Sequence, residues 1–331
     1  MGLVDAHPSP TNSRPDILNI LTGRKLHFVC LTHPHADHGS DLVPVLEQHQ
    51  EIAEFWHTES AIPAFIYRLQ DMPNWQVPVW PSEVREFSQR MAIGWANFLL
   101  DIWGAVTKRN LLVHQIRAGE EPCNYDGVEV HALAPEEEMQ EHFRRFWLEK
   151  AGDPTVEKPD PNLLSAVLAL RWGDSVVLLG ADALRRNWPA AINRYRKLKL
   201  PKAVVLKVPH HGAGNSLDLS GQSREPNYFD ICLHTDSRCK SVLFAGDAKH
   251  PNPKVYERLR SRTDVHCVIN GIRGAHGGVD LGIELEGARP VQSVDPCQPV
   301  VSFEVHQSGQ VDVLAGNNCT ACRFSHPPPP P

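Results

Sequence analysis

The sequence predicts an α/β protein in which strands and helices alternate and stack in layers. Three observations carry that expectation. Apolar strand-like runs such as "KLHFVCLTH" (25–33) and "KAVVLKVPHHG" (202–212) recur with helical segments between them. "LLSAVLALRW" (163–172) and "DSVVLLGADA" (174–183) meet at Gly173-Asp174, a hairpin signal. Several runs also end on histidine or aspartate, which is how a rigid scaffold presents reactive side chains.

Taken in order, residues 25–33 read as a buried strand, and "GSDLVPVLEQH" (39–49) opens a helix with Leu42, Val43, Val45 and Leu46 on one stripe. "IAEFWHT" (52–58) is a further strand. Residues 82–113 carry a long helical pattern, with Ser82 as N-cap and Glu83 and Glu86 in the first turn. "GVEVHALAP" (127–135) alternates as a strand and stops at Pro135. A loop with Pro and Gly (151–162) precedes the hairpin, and a helix rich in Arg and Lys leads into 202–212. "SVLFAGDA" (241–248) is a strand, "NPKVYERLRSR" (252–262) a helix and "VHCVING" (265–271) a strand. Residues 301–314 alternate as a hairpin around Ser308-Gly309, and the tail 326–331, "HPPPPP", is expected to be disordered and extended.

Composition narrows the function class. The chain has 331 residues, of which 41% are hydrophobic and 22% charged, as in an ordinary globular protein. A net charge of −6 excludes a basic field over the whole molecule, so polyanion binding would need a local patch. No run approaches the roughly 20 apolar residues that span a bilayer. The start, "MGLVDAHPSP", has no basic stretch followed by an apolar one, so a cytoplasmic location is expected. Eight scattered cysteines fit reduced thiols, and Cys319 and Cys322, the one C-x-x-C, read as ordinary tail cysteines.

The chemistry concentrates in "THPHADH" (32–38). His33 and His35, two apart beyond a strand end, can face one ion, and Asp37 and His38 can turn toward a second. Imidazole with carboxylate suits zinc, with manganese or iron(II) as alternatives, and leaves room for a water. Asp182 ends one apolar strand, where a carboxylate can bridge two cations, and His210 and His211 end another. Asp247 in "LFAGDAKH" repeats the Gly-Asp-Ala pattern, but Asp182 is preferred because it precedes the strand of His210.

At these residues the chain resembles the metallo-β-lactamase superfamily, whose H-x-H-x-D-H signature is present whole as His33, His35, Asp37 and His38. It is similar in particular to the branch typified by the hydrolase domain of the bacterial competence DNA-uptake channel. "HPHADHGS", "NLLSAVLAL" from Asn162, "LLGADA", "LKVPHHGAGNS" and "HPNPKVYERL" follow that branch's order over roughly residues 1–275. The resemblance implies a four-layer αββα sandwich. It places a hydrolase domain over 1–290, with a helical insertion at about 60–115 and a C-terminal β-hairpin extension over 291–325.

It also implies roles. His33 and His35 would hold a first metal; Asp37, His38 and one of His210 or His211 a second; Asp182 would bridge them. His210 is favoured as the ligand because it directly ends its strand, leaving His211 for substrate. Asp37, His38 and His211 then form the catalytic set, with one or two zinc ions as cofactor.

Two departures follow. The further histidine that many members place before the bridging aspartate is replaced by Asn162 and Ser165, so the first metal is expected to be the weaker held. Only four residues precede Asp5 in the "ILVDAG"-like segment, so one sheet is expected to lack its usual first strands, with Asp5 in a supporting role.

The expected reaction is hydrolysis by a metal-activated water, of a phosphodiester or nucleic acid in the first instance. The segment Arg185–Lys207 holds eight Lys or Arg and no acid, and would grip phosphates of a single-stranded nucleic acid. Trp188 and Tyr195 in it can stack on bases or pack on a sheet, packing being preferred. A hydrolase of a small ester, thioester or lactone, and a non-catalytic metal-binding domain of a larger assembly, are the alternatives.

Overall fold

The computed structural model describes residues 1–6, 17–58, 98–146, 160–217, 227–234, 238–244, 251–268, 281–285 and 301–315. They belong to two compact units, each with its own sheet and apolar core. The class is α/β, as expected.

The first unit holds a four-stranded parallel sheet in the order β1-β2-β3-β4, made of Gly2–Val4, Leu26–Leu31, Ile52–Thr58 and Leu112–Ile116. Strand β2 is apolar almost throughout because both its faces are covered, the usual state of a parallel strand. Its helices are α1 (Ile17–Leu21), α2 (Ala36–Gly39), α3 (Leu42–Gln48), α4 (described over 98–108) and α5 (Glu137–Arg145). Leu42, Val45 and Leu46, spaced three and four apart, bury one face of α3 in a core with Val29, Phe55, Leu99 and Ile102. The Arg109 guanidinium closes the end of α3 by donating to the carbonyls of Leu46, His49 and Gln50.

The first half of the helix expected over 82–113 lies outside the described residues, and its described part ends earlier than expected. Asn110 takes a left-handed φ of 51°, a helix-stopping conformation that Asn tolerates, and Leu112 onward joins the sheet as β4.

The second unit contains a seven-stranded sheet in the order β11-β10-β9-β8-β7-β6-β5. In chain order these are β5 (Cys123–Tyr125), β6 (Val128–Ala134), β7 (Val167–Trp172), β8 (Ser175–Leu179), β9 (Val205–Lys207), β10 (Lys240–Phe244) and β11 (Asp264–Val268). Strands β5 to β8 pair antiparallel through two hairpins and β8 to β11 pair parallel. Helices α6 (Trp188–Lys197), α7 (Tyr228–Ile231) and α8 (Pro253–Arg260) complete it.

Trp188, Ala191, Ile192 and Tyr195 form the buried stripe of α6, and each large side chain so buried contributes about 1.5–3 kcal/mol. Trp188 stacks on Tyr228 with ring centroids 4.1 Å apart, and both Trp188 and Tyr195 are core, the preferred of the two uses expected for them. A three-stranded sheet, β12 (Leu281–Leu285), β13 (Val301–Val305) and β14 (Val311–Ala315), sits in the same unit. Its β13–β14 turn is tied to the β7–β8 turn: Asp174 N donates to Gln307 O at 3.0 Å and Ser175 Oγ to His306 O. No helix among the described residues is long and apolar enough to cross a membrane.

Candidate metal centre

In the first unit the site begins where β1 and β2 end side by side. Asp5 follows β1 with φ 55°, and this turn brings its carboxylate to the end of β2. Asp5 Oδ1 accepts from Thr32 N at 2.8 Å, while Oδ2 accepts from Thr32 Oγ1 at 2.8 Å and from His38 Nδ1 at 2.7 Å. Backbone bonds from Asp5 N to Cys30 O and from Ala6 N to His38 O lock the same crossing. Because a carboxylate accepts, His38 Nδ1 carries the proton and Nε2 is left with its lone pair, the state a metal ligand needs.

His33 is fully buried and His35 partly so. His33 Nε2 lies 3.1 Å from His35 Nδ1. Two nitrogens bound to one tetrahedral zinc at about 2.0–2.1 Å would stand about 3.3 Å apart, so this donor pair fits a shared ion. The rings of His33 and His38 are 4.2 Å apart. Asp37 lies in α2, and its side chain is outside what is described. At the same strand end, burial first, then the Asp5 charge, push the Cys30 thiol well above the usual range.

The second unit presents Asp182 with His210 and His211. Strand β8 ends at Leu179 and is followed by Gly180, where an added Cβ would lie 2.9 Å from Pro209 Cβ and 3.0 Å from Lys207 O. Gly180 N donates to Lys207 O at 3.2 Å and His210 N to Ala181 O at 3.0 Å. The absence of a side chain at Gly180 thus lets the Asp182 loop and the His210 turn lie backbone to backbone. Asp182 is only 3% exposed. Its Oδ2 stands 3.9 Å from His210 Nε2 and 3.7 Å from His211 Nε2. Those separations exceed a hydrogen bond and are a few tenths of an ångström wider than the roughly 3.3–3.5 Å between two tetrahedral ligands of one cation. By distance neither histidine is preferred; by backbone anchoring His210 is.

Seven described non-glycine residues have left-handed φ, and four of them, Asp5, Ala181, His210 and His211, adjoin these candidate ligands. Strained backbone gathers where side-chain placement is over-determined by its surroundings, as at functional sites. Asn162 and Ser165, which stand where a further histidine was sought, are buried at the 3-10 turn Pro161–Leu164 and its cap. Neither Asn162 Oδ1 nor Ser165 Oγ has a hydrogen-bond partner among the described residues. Asp247 lies outside the described residues.

The basic segment divides. Lys202 Nζ donates to the carbonyls of Asp230 and Ile231 and closes the end of α7. Arg194 lies over Gly119, its Nη1 2.9 Å from where a Cβ would be. Arg196, Lys197 and Lys199 are exposed at the C-terminal end of α6, where cations offset the helix dipole. Arg185 and Arg186 are exposed just after Asp182, at the opposite end of that helix.

Thr32 was missed by the sequence reading. Its only signal there is that it directly precedes His33 at a strand end. A separate group, Glu304, His306 and Asp312, lies on the β13–β14 hairpin, where His306 Nε2 meets Asp312 Oδ2 at 3.0 Å. Bonds from Gln310 and then His306 hold the Asp312 carboxyl below its ordinary range, so His306 and Asp312 are already hydrogen-bonded to each other.

No protein-family model and no curated protein matches the chain. Among solved structures, a variant of the CmlA β-hydroxylase is similar at a TM-score of 0.31 and 14% identity, covering 74% of this chain. This chain spans 38% of that one, and a likeness so low carries no argument about site or activity.

Proposed function

We propose that the chain is a metal-dependent hydrolase acting on phosphodiesters, with single-stranded nucleic acid as its substrate class. The observation that carries this reading is the 3.1 Å approach of His33 Nε2 to His35 Nδ1, a ready-made pair of nitrogen donors beside a carboxylate-oriented His38. His33, His35, Asp37, His38, Asp182 and His210 serve as metal ligands in this reading. A bound zinc, or manganese or iron(II), supplies Lewis acidity and makes a water acidic enough to attack at neutral pH.

The protein's own groups do the rest. Asp5 holds His38 in one tautomer, Asp182 contributes a desolvated carboxylate, and His211 is directed to substrate. The exposed arginines after Asp182 favour a phosphodiester over a neutral ester, since guanidinium matches phosphate geometry. The test is the metal content of purified wild type beside His35→Ala and Asp182→Asn. Both variants are expected to lose metal and to lose hydrolysis of bis-p-nitrophenyl phosphate and single-stranded DNA, with a thioester as comparison. Equal metal in all three proteins would sink the reading.

A further inference from the structure

We infer that Thr32 is a positioning residue, a hydroxyl relay through which one carboxylate, Asp5, fixes the tautomers of two histidines, His33 and His38. The inference deepens the metal-centre reading and rests on it for its use, but its geometry stands alone.

Thr32 is 1% exposed, His33 0% and His38 4%, so water does not supply their hydrogen bonds. Thr32 Oγ1 lies 2.8 Å from Asp5 Oδ2 and 3.1 Å from His33 Nδ1. A hydroxyl has one proton to give, and the carboxylate can only accept, so that proton goes to Asp5. The hydroxyl oxygen must then accept from its other neighbour, which makes His33 an Nδ1–H donor. His33 Nε2 is consequently left with its lone pair, directed at His35 Nδ1.

His38 reaches the same Asp5 oxygen directly at 2.7 Å and acquires the same tautomer. Thr32 N, bonded to the other oxygen of Asp5 at 2.8 Å, holds the hydroxyl in place. One partly buried acid therefore sets two imidazoles, one directly and one through Thr32.

The arrangement explains why a β-branched hydroxyl residue fits at position 32. Serine would keep the relay with a freer χ1; valine would keep the shape and delete the donor. The experiment uses the full chain, labelled with nitrogen-15 in histidine and stripped of metal, with His33→Gln to assign the resonance. Long-range proton–nitrogen correlation is expected to show His33 protonated on Nδ1 in wild type and in Thr32→Ser, and no longer fixed so in Thr32→Val. Zinc affinity, measured by chelator competition, is expected to fall on the order of 10–100-fold in Thr32→Val, the usual cost of losing an outer-shell partner. Thr32→Ser should restore it to within a few-fold.

A wild-type His33 protonated on Nε2 overturns the relay whether or not the variants fold, as does a Thr32→Val protein with unchanged tautomer and affinity. If the tautomers are as expected but zinc does not bind, the relay holds and the metal-centre reading fails.

Discussion

Asp5 and His38 stand 33 positions apart, yet their side chains meet at 2.7 Å in an almost water-free crossing of two strand ends. That contact makes Asp5 both a structural and a site residue. Asp5→Ala would leave the buried donors of His38 and Thr32 without their acceptor, at about 1–3 kcal/mol each. Denaturant unfolding of the metal-free chain should show that loss, and zinc affinity should fall roughly 10–100-fold beside it. An Asp5→Ala protein that unfolds earlier but binds zinc as wild type does would confine Asp5 to a structural part.

His210 and His211 face the same Asp182 oxygen at nearly equal distance, so their roles must be separated by what holds them. His210 is bonded through its backbone to Ala181, the residue before Asp182, which keeps it in register with that carboxylate. His210→Ala is therefore expected to lower metal stoichiometry. His211→Ala should keep the metal and lower kcat on bis-p-nitrophenyl phosphate, on the order of 100-fold if it transfers a proton. The reverse pattern would exchange the two assignments.

These strand-end candidate residues were legible in the sequence for a physical reason. An apolar run that ends abruptly on His or Asp places that residue where a strand leaves its sheet, and β2, β8 and β9 all do so. Local chemistry was legible too where it was read; the turn at Gly173-Asp174 is the β7–β8 hairpin. A comparable signal stands at Asp126-Gly127, whose φ values of 54° and 86° make the tight turn between β5 and β6. What periodicity does not contain is contact over distance. Nothing local to Thr32 reveals that Asp5 arrives from another strand to take its proton. Nor does anything local to Trp188 reveal that Tyr228 covers its ring.

The two ends of α6 should differ in what they do for a polyanionic substrate. Arg185 and Arg186 lie at the end where the helix dipole disfavours cations, and no acid occupies the first turn of α6. Arg196, Lys197 and Lys199 lie a ten-residue helix away, about 15 Å from that end. Under the phosphodiesterase reading, an Arg185→Gln, Arg186→Gln double variant should raise KM for single-stranded DNA about tenfold. It should also flatten the salt dependence by about 1.4, two contacts at ~0.7 each. Hydrolysis of bis-p-nitrophenyl phosphate should change little. A Lys197→Gln, Lys199→Gln variant should match wild type on both substrates; if it instead reproduces the arginine phenotype, the anion contacts lie at the other end of the helix.

His57 gives the fold a pH dependence of its own. The side chain is buried in β3, with Nδ1 2.7 Å from the Thr58 carbonyl and the ring against Phe55 and Trp103. Burial lowers its pKa from 6.5 to about 4; the Thr58 bond opposes that shift and nearby His114 adds to it. As pH falls through 6.5 the unfolded chain takes up a proton that the folded chain refuses until about 4. The unfolded state thus binds more protons across that window, and stability falls with pH. The contribution is present in full above the unfolded value and amounts to a loss of about 2 kcal/mol at pH 5. His57→Gln keeps a side chain able to bond the carbonyl and removes the titration. Unfolding midpoints of the metal-free chain at pH 7 and pH 5 should therefore lie closer together in the variant, by a free-energy difference of about 2 kcal/mol. Identical pH dependence in the two proteins would place the acid sensitivity elsewhere, and would mean that the imidazole is protonated without cost inside the sheet.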